Sequence, residues 1–286
     1  MLYANPVRHI HNWGVIVVEP VSIAAVICLL LVAAAFSPLG LGGGILYVPI
    51  MHYMLGWEMT EALVASLTLV LMVALGSSLA HSKSGFADKE AAKIGRISAA
   101  PSAIVGVVLS GVLISAVGDI GIKLMAAIII TFVIERTIRK TISEGQETSP
   151  EIPVVEKRNQ YIIGSSFAGM SSGMLGIGGG AILVTTNRSI LKMDAKKAAG
   201  TSYLVAATIV PVALISHLII NRNLSLIIDE VGLFVMIAIP LLALASAYFG
   251  AKYAIKYLPK RIVTGIFLSV VSISLIRYLI DLTSRL

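Results

Sequence analysis

Residues 40–51 read GLGGGILYVPIM, and residues 176–184 read GIGGGAILV. Glycine has no functional group, so any chemistry at these two clusters must come from the backbone. A glycine run lets the chain turn sharply and lets a ligand approach the main chain closely. A helix that starts at such a turn points its unpaired N–H groups and the positive end of its dipole at that ligand, which favours an anion. The helix starts would be Gly43–Ile45 and Gly179–Ala181. Gly42, Gly43 and Gly44, with Gly178, Gly179 and Gly180, are therefore candidate substrate-binding positions. The alternative is that the glycines only allow close helix packing. Two clusters in register favour the first reading.

Hydroxyls could complete an anion's shell. Ser66 and Thr68 lie in one half, and Thr201, Ser202 and Thr208 in the other. Such residues also bond their own helix backbone, so each is ambiguous alone. Ser66 and the GTS at 200–202, with Thr201 and Ser202, are the better candidates. His81 and His217 are expected at helix ends, either as interfacial anchors or in gating or proton coupling. No Asp, Glu, Lys or Arg is expected in the middle of a span, so helix dipoles and hydroxyls would have to hold the anion. No nucleophile–base constellation accompanies these residues, so an enzyme is not expected. No GxxxxGK[ST] motif occurs, which disfavours an ATP-driven pump. The single cysteine, Cys28, excludes disulfides and a cysteine metal cluster. No cofactor and no metal are expected.

These residues must be positioned by membrane-embedded helices. Apolar residues make up 57% of the 286-residue chain and charged residues 13%, with a mean hydropathy of +0.93. A water-soluble domain cannot hide that much apolar surface. Apolar runs of spanning length cover 62–80, 97–117, 122–134, 197–220, 231–251 and 262–280. Two more, 15–36 and 160–184, lead into the glycine clusters. Segments of about 10 residues with strict alternation, the mark of a barrel, are absent. The first residues show no removable signal peptide. The net charge of +7 reflects cytoplasmic loops rather than nucleic-acid binding.

A shift of 136 residues lays Gly40, Gly42, Gly43 and Gly44 on Gly176, Gly178, Gly179 and Gly180. It also lays Ala62 on Ala198, Ser66 on Ser202 and His81 on His217. The expected organisation is a tail at 1–14, a membrane repeat at 15–140, a cytoplasmic linker at 141–159 and a second repeat at 160–286. Seventeen of the 22 basic residues fall in 82–96, 135–159, 187–197 and 252–261, which places those stretches in the cytoplasm, and both termini and the connections around Glu58–Glu61, Gly118–Lys123 and Asn221–Glu230 outside. Helix 59–81 then runs inward and its partner 195–217 outward. The fold expected is an all-α integral membrane protein of two inverted-topology repeats, each a glycine-broken helical hairpin plus three transmembrane helices. Pro101, Pro211 and Pro240 are expected to kink their helices.

GLGGGILYVPIM with the later VASLTLV and His81, then GMLGIGGGAILV, AAGTSYL and His217, resemble the sulfite exporter TauE/SafE family, also called the four-toluene sulfonate uptake permeases. The resemblance covers about residues 20–280. It implies two repeats and export of small sulfur-containing anions such as sulfite or sulfoacetate. It also implies that Gly42–Gly44, Gly178–Gly180, Ser66, Thr201 and Ser202 line a central site. The family's second repeat usually carries a proline where Val184 is here followed by Thr185, as Pro49 follows Val48 in the first. Expected partners are the sulfur-containing anion, the lipid bilayer and a second copy in a homodimer, with no nucleic acid. The expected location is the plasma membrane of a prokaryote, crossed several times. The main mechanistic alternative to alternating access is an anion channel at the opposed half-helix starts.

Overall fold

A computed structural model describes residues 20–83, 85–143, 150–221, 224–257 and 260–284. The expected tail at 1–14, the first residues of the 15–36 run and 144–149 of the linker lie outside the described residues. Every regular element described is helical. In the first half these are α1 (Pro20–Phe36), α2 (Gly44–Pro49), α3 (Met59–Lys83), α4 (Lys89–Val117) and α5 (Asp119–Ser143). The second half has α6 (Arg158–Leu175), α7 (Gly180–Ser189), α8 (Ala195–Asn221), α9 (Leu224–Tyr257) and α10 (Lys260–Thr283). Among the described residues, five stretches are long and apolar enough to cross a membrane: Pro20–Leu39, Met59–His81, Lys89–Val117, Ala195–Ile220 and Gly232–Tyr253.

Helix boundaries follow local chemistry. The Asp88 carboxylate accepts from the Ala91 N–H at 2.9 Å and caps α4. Gly118, at φ +66°, ends it. The expected run at 122–134 belongs to a longer helix, the 25-residue α5. Pro101 and Pro211 sit inside α4 and α8, whereas the sharp break in α9 falls at Gly232, φ +76°, rather than at Pro240. Pro49 has no N–H to donate, and a π-helical turn, Ile50–Met54, follows it. Thr185, where the first half has proline, keeps α7 regular to Ser189.

The second glycine segment folds back on itself as a hairpin whose two ends meet. Its arms, α6 and α7, hold 18 and 10 residues. At their far ends the Ile152 N–H donates to the Leu191 carbonyl at 3.0 Å. Val154, Tyr161, Leu191 and Met193 form a buried cluster beneath that bond. In the first half α1 has 17 residues, and α2 with its π turn covers Gly44–Met54.

The halves interlock. α6 packs on α4 and α1 on α9; α3 packs on α9 and α8 on α4; α3 meets α8 and α5 meets α10. Exchanging the halves maps this set of contacts onto itself. Small residues let the backbones touch. A Cβ on Gly169 would lie 2.1 Å from the Ala99 carbonyl oxygen, and one on Gly250 would lie 2.3 Å from that of Ala34. The outer faces are apolar, with Ile97, Val105, Phe234 and Leu241 all exposed. Such surface is stable against lipid, not water.

Candidate functional site

Both glycine turns adopt the same backbone shape. Gly40, Gly42 and Gly43 have φ of +80°, +73° and +83°, and Gly176, Gly178 and Gly179 have +66°, +73° and +68°. An L-residue in this left-handed region costs roughly 1–2 kcal/mol. Space is a second constraint at Gly179, where a Cβ would lie 2.6 Å from the Ala168 carbonyl oxygen. Gly44 and Gly180 then open α2 and α7. The first turn of an α-helix leaves its N–H groups without intrahelical partners, so both helices present amides at the turns.

The two turns cross in direct contact. A Cβ on Gly44 would lie 2.5 Å from Ile177 Cα, and one on Gly180 would lie 2.6 Å from the Gly40 carbonyl oxygen. Ser66 Oγ donates to the Gly176 carbonyl at 2.7 Å. Ser202 Oγ donates to the Gly40 carbonyl at 3.2 Å and lies 3.1 Å from that of Gly180. Ser66 and Ser202 are 136 positions apart, as are Gly40 and Gly176, so each half's serine holds the other half's turn. Both serines are fully buried. A carbonyl without a partner at that depth would cost about 1–3 kcal/mol, which explains hydroxyls at these places in otherwise apolar helices.

A family model described as Sulfite exporter TauE/SafE matches residues 25–278, including both turns and all the helices that carry them. The chain belongs to that family. No curated protein and no solved structure matches it. As a TauE/SafE member it is a multi-pass membrane protein of a family that exports sulfite or related anions.

The remaining expected residues divide. Thr201 Oγ1 accepts from the Asp88 N–H at 2.9 Å and so anchors the loop before α4. Gly200 makes room for that loop, since a Cβ there would lie 1.6 Å from the Phe86 carbonyl oxygen. His81 and His217 are not surface anchors, because both are fully buried. His81 Nε2 lies 3.4 Å from the Ser37 carbonyl oxygen and His217 Nε2 2.7 Å from that of Gly173. Ser37 and Gly173 each precede the first glycine of their turn by three residues. Each histidine thus ties the end of α3 or α8 to the turn of its own half. Thr68 bonds its own helix through the Val64 carbonyl.

Three side chains at the TauE/SafE turns were not among the expected residues. Tyr203 Oη donates to the Phe36 carbonyl at 3.0 Å and accepts from the Gly42 N–H at 3.4 Å. Its place directly after Thr201–Ser202 was the available signal. Tyr47 covers Gly43, where a Cβ would lie 2.7 Å from its hydroxyl. That hydroxyl is buried with no hydrogen-bond partner among the described residues. Val70 fills the space between the turns, its Cγ1 lying 2.2 Å from a Cβ on Gly178 and 3.2 Å from one on Gly42. Its counterpart in the second half is Ala206.

One expectation is corrected. A charged side chain is buried among the helices after all: Lys123 in the first turns of α5 is fully buried and pairs with Asp281 near the end of α10. The loop assignment of Gly118–Lys123 concealed it.

Proposed function

We propose that this protein is a secondary transporter that exports a small sulfur oxyanion, such as sulfite or sulfoacetate, by alternating access of two inverted halves. The observation that carries this reading is the reciprocal crossing of the two glycine turns, each held by a serine from the other half. In the conformation described the crossing is closed. Gly44 lies against Ile177, Val70 occupies the centre, and the hydroxyl protons of Ser66 and Ser202 are engaged by carbonyls. Parting the turns frees those hydroxyls and exposes the first amides of α7 to an anion. Charge-assisted hydrogen bonds to an oxyanion are about twice as strong as the neutral ones released, so substrate favours the parted state. His81 and His217 act as gating residues, carrying movement of α3 and α8 to the turns.

Val70 and the crossed backbones favour a carrier over a channel, because anion passage requires them to move. Counterflow of labelled sulfite in proteoliposomes tests this. Saturable exchange against internal unlabelled sulfite is the expected result. Unitary currents without exchange would replace the carrier by an anion channel. Thermal shifts with sulfite, sulfate, sulfoacetate, taurine and chloride rank the substrates.

A further inference from the structure

The side chains at the far end of the first half's glycine segment form a cluster that the transport reading has not used. Lys123 Nζ lies 2.5 Å from Asp281 Oδ2, with the lysine side chain 1% exposed and the aspartate 18%. Tyr53 Oη donates to the same Oδ2 at 3.3 Å. Two cations lie against the Tyr53 ring, Lys123 Nζ at 5.7 Å and the exposed Arg277 guanidinium at 4.9 Å from its centroid. His52 packs edge-on against the same ring and meets the Trp57 carbonyl at 2.8 Å. The cluster sits where α3 and α5 begin and α10 ends, the face that the charge count places outside.

A buried ion pair is poor evidence of stability, because desolvating two charges offsets most of their attraction. An ionisable residue buried in a membrane protein marks a candidate functional site. The surroundings indicate the function. Ile122 and Tyr278, neighbours of Lys123 and Asp281, line a small apolar cavity that is also lined by Ile45 and Ile177. Those last two residues belong to the crossed glycine turns. The cations therefore run from exposed Arg277 to buried Lys123, and a small cavity lies between the residue next to Lys123, Ile122, and the turn residues Ile45 and Ile177.

The geometry points to Lys123 as a second anion-binding residue on the transport path, occupied in the closed state by the Asp281 carboxylate. An oxyanion takes the place of Asp281 on the ammonium, and Asp281 moves toward water, where it is already partly exposed. The exchange replaces one oxygen anion by another on the same cation, so no buried charge is left alone. It also releases α5 from α10, the contact that joins the two halves at this face. Tyr53 steers the exchange, since its ring contacts both cations and its hydroxyl holds the displaced carboxylate.

This inference rests on the transport reading and deepens it. The test is equilibrium binding of labelled sulfite to purified full-length protein, comparing wild type with Asp281→Asn, Lys123→Gln and the double variant. Asp281→Asn removes the competitor and is expected to bind sulfite at least about tenfold more tightly; Lys123→Gln and the double variant are expected to bind at least about tenfold more weakly. The double variant buries no charge, so it keeps the test valid if a single variant does not fold. Wild-type affinity in the double variant would overturn the role of Lys123. Binding of neither sulfite nor sulfoacetate by wild type would instead overturn the transport reading, and this one with it.

Discussion

Ser66 in α3 donates its hydroxyl to the carbonyl of Gly176, 110 residues away, at 2.7 Å. Ser202, its counterpart, returns the bond to Gly40. Ser202 also reaches the Gly180 carbonyl of its own half, at 3.1 Å, so it joins the two turns to each other.

Replacing either serine by alanine is therefore expected to cost about 1–3 kcal/mol by stranding a buried carbonyl. Thermal unfolding in detergent should show a lower Tm for Ser66→Ala and for Ser202→Ala. The double variant should lose more than either. Unchanged melting of both single variants would mean that the hydroxyls do not hold the turns.

The glycine turns separate backbone strain from crowding. Gly179→Ala suffers both, because its φ is +68° and the Ala168 carbonyl oxygen would be 2.6 Å from the new methyl. Gly85→Ala is the control, with φ +76° and no heavy atom within 4 Å. Strain alone should cost the control roughly 1–2 kcal/mol, and Gly179→Ala clearly more. Equal losses of Tm would deny the tight crossing.

The Val70 side chain fills the space between Gly42 and Gly178. Val70→Ala should lower stability, by less than the 2–5 kcal/mol of a Leu→Ala change, and should raise the flux of sulfoacetate relative to sulfite. Relative rates in proteoliposomes provide the check. An unchanged ratio would move the path away from the crossing.

Transmembrane orientation can be read with single cysteines on a Cys28→Ala background. Gly85→Cys should react with an impermeant maleimide only from the cytoplasmic side, and Ser284→Cys only from outside. Reaction of both from the same side would contradict the charge-based assignment.

Features governed by local chemistry were legible in the residues themselves. The turns at Gly40–Gly43 and Gly176–Gly179 could be read because a left-handed backbone selects glycine wherever it occurs. The 136-residue shift could be read because equivalent local shapes reuse equivalent residues: Ser66 on Ser202, His81 on His217. Apolar runs of spanning length announced the membrane, since lipid and protein core make the same demand on side chains. Partners were a different matter. Nothing near Thr201 shows that its hydroxyl meets Asp88, and nothing near His81 shows that it is buried against Ser37. Lys123 read as part of an outer loop, because a charge beside an apolar run ordinarily marks the end of a span. Its partner Asp281 lies 158 residues away, and only the packing of α5 on α10 brings the two together. Sequence alone therefore determined which segments turn, span and repeat, since backbone strain and hydrophobicity act on neighbours along the chain. Tertiary structure alone decided which hydroxyl holds which turn and which charge is buried, because those energies depend on groups that meet only when the helices pack.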